Sequence, residues 1–250
     1  MNEIARMVTD EAATAMAGAR IALLPIGSTE QHGHHLTYDT DYAIAVAFAR
    51  RLAEDLGQTA VLCPGLPYGL SEHHLGFPGT LTLRPETLLG FLRDVAESIA
   101  QSGPRRIVVV NGHGGNVDAV RLAARGLRRD HGIVMAHLMW AGLAADVIAR
   151  EVGSERYGHA CEAETSVGMV LAPEVVRHDR IGEPGRPLPV PPHAAPPAPR
   201  VDLALQYHLL SGSGALGDAR HASAELGKAI VAVAYSRALE FAKAFADEEV

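Results

Sequence analysis

The sequence predicts a layered α/β fold built on a mostly parallel sheet. Two observations carry that prediction. Four short runs are continuously apolar and mostly rich in branched residues: RIALLPI (20–26), TAVLC (59–63), RIVVVN (106–111) and IVMAHLM (133–139). Strands of this kind are usually covered on both faces, as in a parallel sheet. Between them, apolar residues recur at helical spacing, and strand–helix alternation yields stacked layers.

In chain order, the amino-terminal stretch MNEIARMVTDEAATAM is acidic and amphipathic and lacks the apolar centre of a signal peptide. After the first strand, Ile44, Phe48, Leu52 and Leu56 recur every four residues, with Gly57 as a stop. After the second, Pro85 opens a helix whose stripe is Leu88, Leu92, Val95 and Ile99, with Gly103 beyond. Val117, Val120, Ala124 and Leu127 mark a third helix. Leu226, Ile230, Val233, Phe241 and Phe245 mark a long terminal one. Residues 184–199, PGRPLPVPPHAAPPAP, hold eight of the fifteen prolines and suit neither a helix nor a central strand. A surface loop, packed on a neighbouring subunit, is the expectation there. With 250 residues and no internal repeat, the chain is expected to be a single domain spanning 1–250.

Lys and Arg total 22 against 29 Asp and Glu, a formal charge of −7, without a basic block. That argues against nucleic acid or an anionic membrane as a partner. No apolar run reaches the ~18 residues of a membrane span. The two cysteines, Cys63 and Cys161, make no zinc spacing and no disulfide framework. A cytoplasmic protein is expected.

The polar residues gather where strands end, which is where open α/β sheets bind ligands. The segment GSTEQHGHHLTYDTD (27–41) places Glu30, His32, Asp39 and Asp41 after the first strand. Ser71, Glu72, His73 and His74 follow the second, His113 follows the third in NGHGGN, and His159, Glu162 and Glu164 come in GHACEAETS. Each has an ordinary explanation when taken alone. Asp39 or Thr40 can cap a helix, and Glu162 and Glu164 suit a first helical turn. The scattered His34, His131, His178, His193, His208 and His221 read as solvated. Caps and turns do not require histidine at strand ends, however. A metal site does.

Imidazole and carboxylate donors without thiolate suit zinc, manganese or a similar ion in an open, catalytic site. Asp41, at a helix start, offers two oxygens with which to bridge two ions. Glu30, His32, Asp41, His113 and one more carboxylate make five ligands. That is too many for one ion that keeps a water, and it fits a two-metal centre. NGHGGN lacks the lysine of a phosphate loop, and no Gly-x-Ser-x-Gly elbow occurs. Cys161 lies beside His159, so a cysteine nucleophile is a competing reading, although neighbouring carboxylates oppose a thiolate.

LLPIGSTEQHGHHLTYDTD, YGLSEHHLGFPGTLTL, VVVNGHGGN, GHACEAETS and GDARHASAELG together resemble the creatininase (creatinine amidohydrolase) family, in order, from about residue 20 to 230. The resemblance implies a three-layer α/β/α sandwich, commonly hexameric. It also implies hydrolysis of non-peptide C–N bonds, often in cyclic amides or formamides, at a binuclear zinc or manganese centre, with ferrous iron as an alternative. By position, Glu30 and His32 resemble ligands of separate metals, Asp41 the bridging carboxylate and His113 a further ligand. Ser71 matches a substrate-contacting serine, with His74 beside it on the substrate side. His159 matches a histidine near the scissile bond and is the expected proton donor.

Creatininases proper carry tyrosine and a glutamate ligand where this chain has Gly114 and Gly115. The departure makes Glu164 the expected fifth ligand, with Glu162 in reserve, and argues against creatinine itself. It also implies a roomier pocket, with Gly114 and Gly115 offering N–H groups to an anionic substrate. The expected partner is a small-molecule amide. The expected assembly is a homo-oligomer, a hexamer by preference. Two alternatives stand beside this: a peptide-trimming amidase of a cofactor pathway, and a non-catalytic metal- or ligand-binding protein on the same scaffold.

Overall fold

The computed structural model describes residues 2–153, 158–182 and 204–248; the proline-rich stretch 184–199 and His193 lie outside them. The main elements in chain order are α1 (Thr9–Gly18), β1 (Ile21–Ile26), α2 (Thr40–Leu56), β2 (Ala60–Leu62), α3 (Pro85–Ser102) and β3 (Arg106–Asn111). They continue with α4 (Val117–His131), β4 (Val134–Leu138), α5 (Trp140–Leu143), α6 (Ala145–Glu151), α7 (Glu162–Leu171) and α8 (Ala224–Asp247).

The four strands form one parallel sheet in the order β2-β1-β3-β4. β1 and β3 run in register from Ile21 against Arg106 to Ile26 against Asn111. Alternating side chains on these strands supply two separate cores. Ile21, Leu23, Leu62, Val108, Val110 and Leu138 pack under α2 and α5–α8. Ala22, Leu24, Ile26, Val61, Ile107, Val109 and Met135 pack under α3 and α4. The continuously apolar runs are thus explained, and the architecture is the three-layer α/β/α sandwich.

Strand order decides where the site sits. From β1 the chain crosses to β2 on one side, then returns to place β3 and β4 on the other. The gap between β1 and β3 is therefore the point at which the winding reverses, the usual ligand crevice of an open α/β sheet. Glu30 and His32 follow β1, and His113 follows β3, at this gap.

Some expected details shift. Val233 is only partly buried and Phe241 is 41% exposed, so neither lies on the buried stripe of α8. That stripe is largely alanine: Ile230, Ala234, Ala238 and Ala242, with Val231, Tyr235 and Phe245 beside it. Small residues let α8 lie close on α7, and Phe241 turns outward to stack on Phe245, with ring centroids 5.3 Å apart. No helix among the described residues is long and apolar enough to cross a membrane.

Candidate metal centre

Asp41 stands at the centre of the site. It lies in the first turn of α2, and the chain brings that turn hard against the end of β3. A Cβ at Gly112 would collide with the Asp41 carbonyl, so only glycine permits the approach. Neither Asp39 nor Thr40 caps the helix with its side chain; Thr40 Oγ1 donates instead to the Thr37 carbonyl. The acids at 39 and 41 therefore differ in role: Asp39 is exposed and Asp41 is buried among histidines.

The two Asp41 oxygens face different imidazoles. Oδ1 lies 3.1 Å from His32 Nε2, and Oδ2 lies 3.0 Å from His113 Nδ1. Glu30 Oε1 stands 3.3 Å from His113 Nδ1, while Glu164 Oε1 lies 3.8 Å from His32 Nε2. Two triads result, each with its ligand atoms within 4.8 Å of one another: Glu30, Asp41 and His113, and His32, Asp41 and Glu164. Asp41 belongs to both. Glu30 also forms such groups with His32 and His159 and with His73 and His74.

The imidazoles are oriented from behind. His32 Nδ1 donates to the Glu30 carbonyl at 3.1 Å, and His113 Nε2 donates to the Leu70 carbonyl at 2.9 Å. Each ring then turns its other nitrogen to the carboxylates, the arrangement by which proteins present histidine to a metal ion. The asparagines of NGHGGN build the His113 corner. Asn111 accepts from the His113 N–H at 3.0 Å and donates to its carbonyl at 2.7 Å. Asn116 joins the Leu70 N–H to the Gly27 carbonyl, at 2.9 and 3.0 Å.

Burial opposes charge on every one of these groups, yet opposite charges outweigh it. The His113 imidazole above all holds the Glu30 carboxyl well below its ordinary range, and His32 does the same for Asp41. In return, Asp41 raises His32, and Glu30 raises His113, well above the ordinary imidazole value. Among the described residues, the buried side-chain polar atoms without a hydrogen bond include Glu30 Oε1 and Asp41 Oδ2. Two buried carboxylate oxygens that form no hydrogen bond yet crowd the same His113 Nδ1 at 3.0 and 3.3 Å fit a divalent cation, and this donor set suits zinc or manganese.

Glu164, not Glu162, faces this centre. Both lie in the first turn of α7, but Glu162 Oε2 accepts from the Asp218 N–H at 3.3 Å. Glu164 Oε2 accepts from the Ala160 N–H at 2.6 Å, which leaves Oε1 toward His32. Ala160 is the one described non-glycine residue with positive φ, at 48°. That turn aims both its own N–H and the neighbouring His159 inward. His159 Nε2 donates to the Gln31 carbonyl at 2.6 Å, so Nδ1 faces Glu30 Oε1 at 3.7 Å. Burial, reinforced by His32, lowers its pKa and keeps the ring neutral.

A cavity of about 370 Å³ opens here, lined by Glu30, Asp41, His74, His113, His159 and Glu164 among others. His74 is on its wall. Ser71 is not: it is fully buried, bonded to Ser28, which in turn donates to Glu30 Oε2 at 3.1 Å. In this arrangement Ser71 braces Glu30 from behind, through Ser28, rather than lining the cavity. The two glycines also differ. A Cβ on Gly114 would meet nothing within 4 Å, whereas one on Gly115 would strike the Leu70 carbonyl and His113 Nε2. Gly115 therefore gives no extra room; it lets the His113–Leu70 hydrogen bond form. Gly115→Ala is expected to cost about 1–3 kcal/mol of stability and to weaken metal binding about 10–100-fold. Thermal melting with a metal titration checks both.

Cys161 is buried, and burial pushes its thiol up to about 11, with Glu164 adding to the effect. Cys161→Ala is expected to keep near-parental turnover; collapse with the fold intact would restore the cysteine-enzyme reading. Of the histidines read as solvated, His34, His131, His178, His208 and His221 are exposed. Sequence reading missed Gln31, Ser28 and Tyr207, whose ring lies 4.1 Å from that of His74. It also missed His35, buried and bonded to Thr165 at 3.0 Å, which ties the loop after β1 to α7.

The geometry has counterparts among known proteins. A family model described as creatinine amidohydrolase matches residues 5–242. The creatinine amidohydrolase of Pseudomonas putida is 33% identical over 235 residues, covering 87% of this chain and 86% of that protein. A mycofactocin precursor peptide peptidase of Mycobacterium ulcerans is 37% identical over 220 residues, covering 84% and 79%. A solved structure titled "Creatininase Mn" superposes with a TM-score of 0.81 at 29% identity, over 98% of this chain and 99% of that one.

Proposed function

Since the chain belongs to the creatininase family of amidohydrolases, we propose that it hydrolyses an amide C–N bond with two divalent ions, zinc or manganese. Glu30, Asp41 and His113 would hold one ion, and His32, Asp41 and Glu164 the other. Such ions, when bound, supply a Lewis acid for the amide carbonyl and bring the pKa of a coordinated water toward neutrality.

The protein's own groups do the rest. The Leu70 and Glu30 carbonyls keep His113 and His32 turned to the centre. His159, neutral and with its lone pair at Nδ1, takes a proton from the attacking water and returns it to the leaving nitrogen. Without that proton an amine leaves poorly. The Gln31 carbonyl, accepting from Nε2, steadies the charge His159 carries in between. The open side of Gly114 receives the part of the substrate beyond the scissile bond.

The observation that supports this reading most is the pair of buried Glu30 and Asp41 oxygens that form no hydrogen bond and converge beside His113. The substrate class proposed is a small amide, cyclic or formyl. A second reading, trimming of a peptide amide, is favoured by the likeness to the precursor peptide peptidase and by the space at Gly114.

Metal analysis of protein prepared without chelators tests the proposal, with about two ions per chain expected. No ion after soaking in zinc and manganese would overturn it. Occupancy is expected to fall on acidification, because raised imidazole pKa values mean that protons compete for the ligand nitrogens. A panel of cyclic amides, formamides and short peptides, assayed with metal added back, separates the two substrate readings.

A further inference from the structure

Gln31 lies between two proposed ligands, yet its side chain does not join them. It is 3% exposed, and all its polar atoms are engaged. The Gly33 N–H donates to Oε1 at 3.0 Å, which fixes the amide so that its nitrogen is the donor. Nε2 lies 2.7 Å from His74 Nδ1 and 3.3 Å from the Gly214 carbonyl, so its two hydrogens have two acceptors. The third neighbour, His159 Nε2 at 3.1 Å, is not a partner, since that nitrogen gives its own hydrogen to the Gln31 carbonyl at 2.6 Å. Gly214 has φ of +84°, and a Cβ there would occupy the place of the Gln31 amide. The Leu216 N–H donates to the His159 carbonyl at 2.8 Å, which ties the same segment to the same corner.

We infer that Gln31 is a positioning residue that gives the two cavity histidines opposite polarity. Its amide hydrogen occupies Nδ1 of His74, so the neutral ring carries its proton on Nε2 and shows the cavity a donor. Its backbone carbonyl takes Nε2–H of His159, so that ring shows the cavity a lone pair at Nδ1. His74 Nε2 is 3.4 Å from Glu30 Oε1 and His159 Nδ1 is 3.7 Å from the same atom, so both nitrogens face one point. An acceptor oxygen of the substrate, such as a carbonyl, is then met by His74, while a proton to be moved is met by His159. The ring of Tyr207, 4.1 Å from that of His74, closes the far side. Only the catalytic consequence rests on the amidohydrolase reading; the tautomers do not.

Solid-state ¹⁵N NMR of histidine-labelled, zinc-loaded full-length protein tests the inference directly, with resonances assigned through His74→Asn and His159→Asn. In the parent, Nδ1 of His74 is expected unprotonated and Nε2 protonated. Gln31→Glu keeps the shape but replaces the donor by an acceptor, so Nδ1 of His74 should gain a proton while His159 keeps its Nε2–H. Turnover should fall at least ~10-fold, with metal content retained and KM rising less than kcat falls. If Gln31→Glu fails to fold, Gln31→Leu, which removes the donor without adding charge, should shift the His74 Nδ1 resonance away from its hydrogen-bonded parent value, and the parent spectrum still decides. A protonated Nδ1 in parent His74, or an unchanged His74 signal in a folded Gln31→Glu, would overturn the role of Gln31. Correct tautomers in a protein that hydrolyses no amide would instead leave Gln31 standing and overturn the amidohydrolase reading.

Discussion

Asp41→Asn is expected to empty both metal positions and reduce turnover to background. Each carboxylate oxygen faces a different imidazole, His32 through Oδ1 and His113 through Oδ2, so one substitution removes a ligand atom from both triads. Asparagine offers one neutral oxygen and, on the other side, an N–H₂ that repels a cation. The substitution also removes the charge that chiefly holds the His32 pKa up and that adds to the effect of Glu30 on His113. Groups with raised folded pKa values lend stability below their unfolded values and lose it as pH rises through the folded ones. Asp41, with its lowered pKa, lends stability above the ordinary carboxylate range. The loss in melting temperature should therefore be largest between these limits, from mildly acid to neutral pH, and should shrink in alkali. Glu162→Gln is the matching control, because Glu162 turns to Asp218, and it is expected to keep both ions. Metal analysis and melting curves on the two variants settle the matter. Two ions retained in Asp41→Asn would rule out the bridge.

His159→Asn is expected to keep its metal and lose turnover by about two to four orders of magnitude, the usual range for a missing acid–base group. The side chain is within reach of the centre without being needed to complete either Asp41 triad. A substrate with an already good leaving group should be spared much of the loss, since it requires less protonation. If His159 only braces the Gln31 corner, the variant should lose stability and little else. If it is a ligand, metal content should fall with turnover. Metal content, melting temperature and turnover on one preparation separate the three outcomes.

Much of this was legible because strands covered on both faces have little choice of residue. The runs around Leu23 and Val109 read as strands, and the acids and histidines just beyond them read as a site. The single prediction most dependent on geometry, Asp41 as a shared ligand, follows from its place in the first turn of α2. What stayed hidden depends on contacts between segments far apart in sequence. Helix α1 has no fully buried residue, Ala15 and Met16 packing on the core only in part, so its amphipathic stretch was not enough to mark it as an element. Gln31 sits between two inward-facing residues, and strand alternation would point it away; the tight local bridges of His32 with His34 and Leu36 break that alternation. Gly115 looked like vacated space because sequence does not show the Leu70 carbonyl that fills it. The bracing position of Ser71 behind Glu30 was hidden because its partner, Ser28, lies 43 residues earlier.

The reversal of winding between β1 and β3 also bears on how the protein is made. Glu30 leaves the ribosome early and Glu164 late. At about 5–20 residues per second, the interval is on the order of ten seconds. Over that time the nascent chain holds acids and histidines that have no common cavity, and β1 cannot find its neighbour β3 until α3 has been synthesised. Under the two-ion proposal, ions that need ligands from all of these segments would bind only after the sheet has formed. The mutual attraction of His32 and His113 with Asp41 and Glu30 holds these groups together in the finished fold, so loading of the proposed ions would be a matter of diffusion into the cavity rather than a step of folding.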